Sequence, residues 1–160
     1  MTAHVVHNVD RPAQPAAVRQ ATLTVDGLPA WLGQTFDKVI AYLKSHDAYP
    51  VGPPFARYFK RPDGLFEVSA GFPVRVPPEG DGDVQAMTLP AGPAATTMHY
   101  GPYNEMVPGY QAIDGWIAAQ NMAPSGAPWE IYLSDPGTQP DPASWRTQIV
   151  QPYRAAPSPT

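Results

Sequence analysis

Pro-Ser-Gly-Ala-Pro-Trp-Glu-Ile-Tyr-Leu-Ser-Asp-Pro, residues 124–136, repeats the pattern of Pro-Val-Gly-Pro-Pro-Phe-Ala-Arg-Tyr-Phe, residues 50–59, which lies 74 positions earlier. Working outward at that offset, residues 21–62 match residues 95–136 at Ala21/Ala95, Thr22/Thr96, Gly27/Gly101, Pro50/Pro124, Gly52/Gly126, Pro54/Pro128, Tyr58/Tyr132 and Pro62/Pro136. Phe36/Tyr110, Val39/Ile113, Tyr42/Trp116, Leu43/Ile117, Phe55/Trp129 and Phe59/Leu133 add similar pairs. A five-residue insertion then sets Pro73 opposite Pro152. A repeat of this kind decides the fold, because each copy is one supersecondary unit.

Two segments have helical spacing of apolar residues. Residues 31–46 carry Leu32, Phe36, Val39, Ile40 and Leu43, and residues 104–120 carry Met106, Tyr110, Ile113 and Ile117. Pro108 suits a first helical turn. Strands are expected over 20–26, 54–60, 66–74, 85–89, 94–100, 128–134 and 146–152. They are punctuated by Asp63-Gly64, by Glu79-Gly80-Asp81-Gly82-Asp83 and by Asp135-Pro136-Gly137. Each half therefore reads strand–helix–strand–strand. The predicted class is α+β, with two pseudo-symmetric modules, antiparallel sheets carrying helices on one face, and a ligand cleft between the halves. One domain is expected over 18–153, with halves of about 18–76 and 84–153, and flexible tails at 1–17 and 154–160.

Composition excludes several classes. The 160 residues contain no cysteine, so neither a disulfide framework nor a Cys-based metal site is available. A net charge of −4 with scattered Lys and Arg gives no nucleic-acid footprint. No apolar run reaches membrane-spanning length, and the N-terminus has neither the basic start nor the apolar run of a secretory signal. A cytoplasmic protein is expected, with no metal and no cofactor. The histidines show no metal-ligand spacing. His99 shares a strand face with Thr97 and reads as structural or as part of a groove rim. An exposed sheet edge leaves room for a homodimer.

Chemistry concentrates at Glu130, a carboxylate inside an otherwise apolar and aromatic strand; Ala56 stands in its place in the first half. A shielded Glu is costly unless it is paired, protonated or used. Strand alternation puts Glu130 and Tyr132 on one face and Trp129, Ile131 and Leu133 on the other. The apolar set is expected to pack on the helices, leaving Glu130 and Tyr132 facing the cleft. An aromatic box with one acid suits a lipophilic cation. Tyr58, Trp31, Phe72, Tyr103 and Trp145 are the further ligand-binding candidates; Phe36, Tyr42, Phe55, Tyr110, Trp116 and Trp129 read as core.

The order Ala-Gly-Phe-Pro-Val (70–74), Thr-Met-His-Tyr-Gly-Pro-Tyr (97–103), Gly-x-Pro-Trp-Glu-x-Tyr-x-x-Asp-Pro (126–136) and Trp-Arg-Thr-x-Ile (145–149) resembles the GyrI-like small-molecule-binding domain, the effector-binding domain of AraC- and MerR-type regulators. The resemblance covers about residues 18–153. It implies duplicated modules, a groove for cationic aromatic compounds, and Glu130 as the ligand's charge partner. No helix-turn-helix is found in the residues before the domain, so direct DNA reading is not expected. Ser69 stands where the resemblance would place a second acid. The expected function is binding of lipophilic or cationic aromatic small molecules, as a sensor or by sequestration. The alternative implied by stand-alone relatives is a hydrolase that opens strained cyclopropane rings of alkylating natural products, with Glu130 and Tyr132 as catalytic residues.

Overall fold

In a computed structural model, residues 4–134 and 140–155 are described. Nine strands and two helices occur among them, and every strand pairing is antiparallel. The chain divides into an N-terminal unit, Pro12–Ala91, and a C-terminal unit made of the described parts of 1–11 and 92–160. The predicted turn at 135–137 lies outside the described residues.

In the N-terminal unit, β2 (Gln14–Leu23), β3 (Phe55–Lys60), β4 (Phe66–Pro73) and β5 (Gln85–Leu89) pair in the order β3–β4–β2–β5, and α1 (Leu28–Ser45) contacts β2 and β4. In the C-terminal unit, β1 (Val6–Arg11), β6 (Gly92–Tyr100), β8 (Trp129–Tyr132) and β9 (Arg146–Ala155) pair in the order β8–β9–β6–β1. The short strand β7 (Met122–Pro124) joins the far end of β9, and α2 (Val107–Ala119) contacts β6, β7, β9 and β1. Residues 6–17 were expected to lie in a flexible tail and instead form β1 and the start of β2. Ala16, Ala17 and Val18 are fully buried, and that burial outweighs the proline-rich composition of the segment.

The two units follow one plan, and the pairing register shows where the copies correspond. Ala16 opposite Pro73 matches Ala94 opposite Pro152, so the first strand is offset by 78 (Ala16 to Ala94) and the last by 79 (Pro73 to Pro152). Ala56 opposite Ala70 matches Glu130 opposite Ile149, which keeps the offset of 74 for β3 and β8. The helices keep 74 as well. Val39 and Leu43 are buried as Ile113 and Ile117 are, and both helices end in left-handed residues, Asp47 and Asn121. The sequence pairing of Ala21 with Ala95 is therefore shifted by four residues: Ala21 corresponds to His99. The strand that leads each repeat crosses to the other unit. β1 precedes β2 in the chain but pairs with β6, whereas β5 precedes β6 but pairs with β2.

Local chemistry explains the elements. The Thr24 hydroxyl accepts from Gly27 N–H at 3.3 Å and caps the 3-10 turn that opens into α1, with a proline in the helix's first turn; Pro108 does the same for α2. The apolar stripe of α1 buries Val39, Tyr42 and Leu43 against Ala17, Phe72 and Val74. That of α2 buries Met106, Ile113 and Ile117 against Ala95 and Ile149. Each such aliphatic side chain contributes about 1.5–3 kcal/mol of burial. Gly71 is required where β4 passes β2, since a Cβ there would sit 1.9 Å from the Ala17 carbonyl oxygen.

Candidate functional site: a carboxylate under two tyrosines

Strand β8 is short, and its alternation is clean. Trp129 is fully buried on the face turned away from α2, with the Arg11 guanidinium 5.7 Å from its ring. Glu130 points the other way. Its cross-strand neighbour Ile149 belongs to the α2-facing core, and its carboxylate accepts a hydrogen bond from the hydroxyl of Tyr110 on α2. Tyr132, two residues on, donates to the second carboxylate oxygen at 2.9 Å. The expected alternation is present, but the faces are exchanged relative to the expectation. The bulky apolar Trp129 turns away from the helix, and the acid with its tyrosine turns toward it. The reason is that Tyr110 supplies a hydroxyl partner on the helix side, while Trp129 finds complete burial on the other.

Glu130 keeps some exposed surface, yet burial of its carboxylate pushes the pKa above the ordinary value. The hydrogen bonds from Tyr110 and Tyr132, and the nearby His99, pull it back down without cancelling the rise.

Aromatic rings surround this group within the same unit. Tyr103 meets Tyr132 edge-on at 5.6 Å and stacks on Trp145 at 5.0 Å. Tyr103 is 39% exposed and stands in the 3-10 turn Tyr103–Glu105 just before α2. Trp145 is fixed at the start of β9, where its carbonyl accepts from Gly101 N–H at 2.8 Å. The same sheet face carries a polar row across three strands: Tyr132, Thr147 and His99 are successive cross-strand neighbours. The His99 Nε2–H donates to the Pro102 carbonyl at 2.9 Å, which fixes the tautomer because a carbonyl can only accept. His4 stacks on the His99 ring at 5.9 Å.

Four of the predicted site residues, Glu130, Tyr132, Tyr103 and Trp145, thus come together. The other three belong to the N-terminal unit. Phe72 is 9% exposed and packs in the α1-facing core, edge-on to Phe36 at 5.8 Å, because strand parity turns it toward α1. Trp31 lies 5.7 Å from the Arg19 guanidinium, which Asp83 and Thr35 hold. Tyr58 meets Phe66 edge-on at 6.3 Å. Tyr110, His99 and Thr147 were not among the predicted site residues. Tyr110 was hidden in an apolar helix stripe, although a tyrosine there needs a partner for its hydroxyl.

The duplicated unit shows how specific this cluster is. By register and helix offset, Glu130, Tyr110, Thr147 and His99 correspond to Ala56, Phe36, Val68 and Ala21. One unit carries four polar groups where the other carries four apolar ones. An open depression of about 380 Å³ in the N-terminal unit, lined by Gln20, Thr22, Phe59, Glu67 and Ser69 among others, has no comparable shielded acid: Glu67 is exposed. Among the described residues no cluster of His, Cys, Asp and Glu could hold a metal ion. No helix among the described residues is long and apolar enough to cross a membrane.

Solved structures share this fold. The chain superposes on EcmrR in its DNA complex with a TM-score of 0.79 at 17% identity, covering 98% of this chain and 59% of that one; it thus spans little more than half of that chain. A hydrolase from Listeria innocua superposes with a TM-score of 0.68 at 17% identity, covering 96% and 94% of the two chains. SAV2435 bound to tetraphenylphosphonium superposes with a TM-score of 0.59 at 11% identity, covering 96% and 94%. At these identities the likeness establishes the fold alone. A comparison with curated proteins finds no match. The sequence matches the GyrI-like small molecule binding domain over residues 5–154, nearly its whole length, and the chain belongs to that family.

Proposed function

We propose that the C-terminal unit binds lipophilic cations bearing aromatic groups, with Glu130 as the charge partner and Tyr103, Tyr132 and Trp145 as the aromatic surface. The observation that carries this reading is the shielded carboxylate held by two tyrosine hydroxyls beside a ring stack. A carboxylate in a partly dehydrated site attracts a cation far more strongly than one in water. Each ring face adds about 0.5–2 kcal/mol of cation–π attraction. SAV2435, which shares the fold, binds such a cation, tetraphenylphosphonium. Calorimetry with tetraphenylphosphonium tests the reading. Glu130→Gln is expected to weaken binding by about 2–3 kcal/mol, roughly 30- to 150-fold. Equal affinity in wild type and variant refutes it.

A second reading follows from the raised pKa of Glu130. A carboxyl shifted upward and hydrogen-bonded by tyrosine is suited to proton transfer, as in a hydrolase. It predicts that an electrophilic ligand is recovered with one added water, a product absent with Glu130→Gln. Recovery of every bound compound unchanged eliminates it.

A further inference from the structure

The row next to Glu130 contains two polar atoms that nothing in the proposed site uses. Thr147 Oγ1 and His99 Nδ1 are buried and lack a hydrogen-bond partner among the described residues. Thr147 is fully buried and His99 is 3% exposed. They are direct cross-strand neighbours on the α2-facing side of the sheet. Buried polar atoms are nearly always paired, and an unpaired one costs stability. The duplicated unit shows that the fold does not need them, since Val68 and Ala21 fill the same two places.

Their chemistry is complementary. The Pro102 carbonyl obliges Nε2 of His99 to carry the proton, so in the neutral ring Nδ1 is an acceptor. The Thr147 hydroxyl is free to donate. A group that both donates and accepts satisfies the pair at once, and a hydroxyl is the simplest such group. The row also adjoins the ring cluster of the site. Thr147 lies one strand, about 4.8 Å, from Tyr132. The segment that carries Pro102 runs directly into the turn bearing the exposed Tyr103.

We infer that His99 and Thr147 form a hydrogen-bonding pole of the Glu130 site that reads a hydroxyl on the ligand, so that the site selects hydroxyl-bearing aromatic cations over purely apolar ones. The inference rests on the reading of Glu130 as the cation's partner and adds to it a specificity that Glu130 cannot supply.

The test compares tetraphenylphosphonium with its mono-hydroxyphenyl analogue by calorimetry on the full chain. Wild type is expected to bind the hydroxylated probe about tenfold more tightly. Thr147→Val, whose side chain already stands at the corresponding position 68, is expected to abolish that preference. Thr147→Ser is expected to restore it. No preference in wild type, a preference that survives Thr147→Val, or equal weakening of both probes overturns the inference and leaves the cation reading standing. Failure of both probes to bind wild type overturns both.

Discussion

Glu130→Gln should make the protein more stable while it weakens binding, and the gain should depend on pH in a defined direction. Burial raises the pKa of Glu130 above its ordinary value of 4.5, so the folded protein holds this proton more tightly than the unfolded chain does. Between 4.5 and the raised value, the folded state stays protonated while the unfolded state ionises. The contribution of Glu130 to stability therefore falls as pH rises through that window, and the full penalty is present above it. Desolvation of a buried polar group that its hydrogen bonds do not fully offset costs about 1–3 kcal/mol. Glutamine carries no charge to desolvate, and its amide can still hydrogen-bond the Tyr110 and Tyr132 hydroxyls. Part of the gain is lost, because hydrogen bonds to a neutral amide are weaker than those to a carboxylate. The expected net gain at pH 8 is about 1–2 kcal/mol, which in a chain of this length is a rise in Tm of roughly 2–8 °C. At pH 4 the gain should vanish. Urea unfolding of wild type and variant, followed by circular dichroism from pH 4 to 8, measures it. A variant less stable than wild type at pH 8, or a gain of equal size at pH 4 and pH 8, would refute the reasoning.

Tyr110→Phe removes one of the two hydroxyls that hold the carboxylate, so the pKa of Glu130 should move further up. Affinity for tetraphenylphosphonium at pH 7 should fall about three- to tenfold; an NMR titration of Glu130 with parallel calorimetry reports both, and an unmoved midpoint contradicts the assigned contact. Gly71→Ala places a Cβ 1.9 Å from the Ala17 carbonyl and must force β2 and β4 apart. A loss of at least about 3 kcal/mol is expected in a thermal melt, and a wild-type melting curve would exclude the close approach.

How much was legible depends on which physical signal each feature leaves. Both helices and seven strands were readable because apolar spacing and prolines mark them, and Val39/Ile113 and Leu43/Ile117 tied the copies together. β1 was not readable: most of its residues are exposed, so the segment carries no apolar alternation. The register of β2 against β6 was misread by four residues, because Ala-Thr pairs recur there and the matches at Gly27/Gly101 and Pro50/Pro124 pull the alignment to a single offset. The face occupied by Glu130 was misassigned because hydrophobicity identifies the buried side of a strand only when the other side meets water. Trp129 and Phe55 are buried on the side away from the helices, so both faces of these strands are covered and apolarity stops discriminating. The acid itself was found, because a carboxylate in an aromatic strand is costly wherever it points.

The duplication turns one molecule into its own control. Residues kept for folding should be polar or apolar alike at corresponding positions, and the helix stripes obey this: Val39 with Ile113, Leu43 with Ile117. Residues kept for ligand recognition need appear in only one copy. Glu130, Tyr110, Thr147 and His99 have apolar counterparts in Ala56, Phe36, Val68 and Ala21, while Tyr132 and Tyr58 are alike. A scaffold requirement would not produce that division. A shielded carboxylate, the Tyr110 hydroxyl above it, a fixed imidazole and a buried threonine each cost stability that the other copy avoids. Four such costs at one place are better explained by a single ligand that offsets them together than by four separate structural needs.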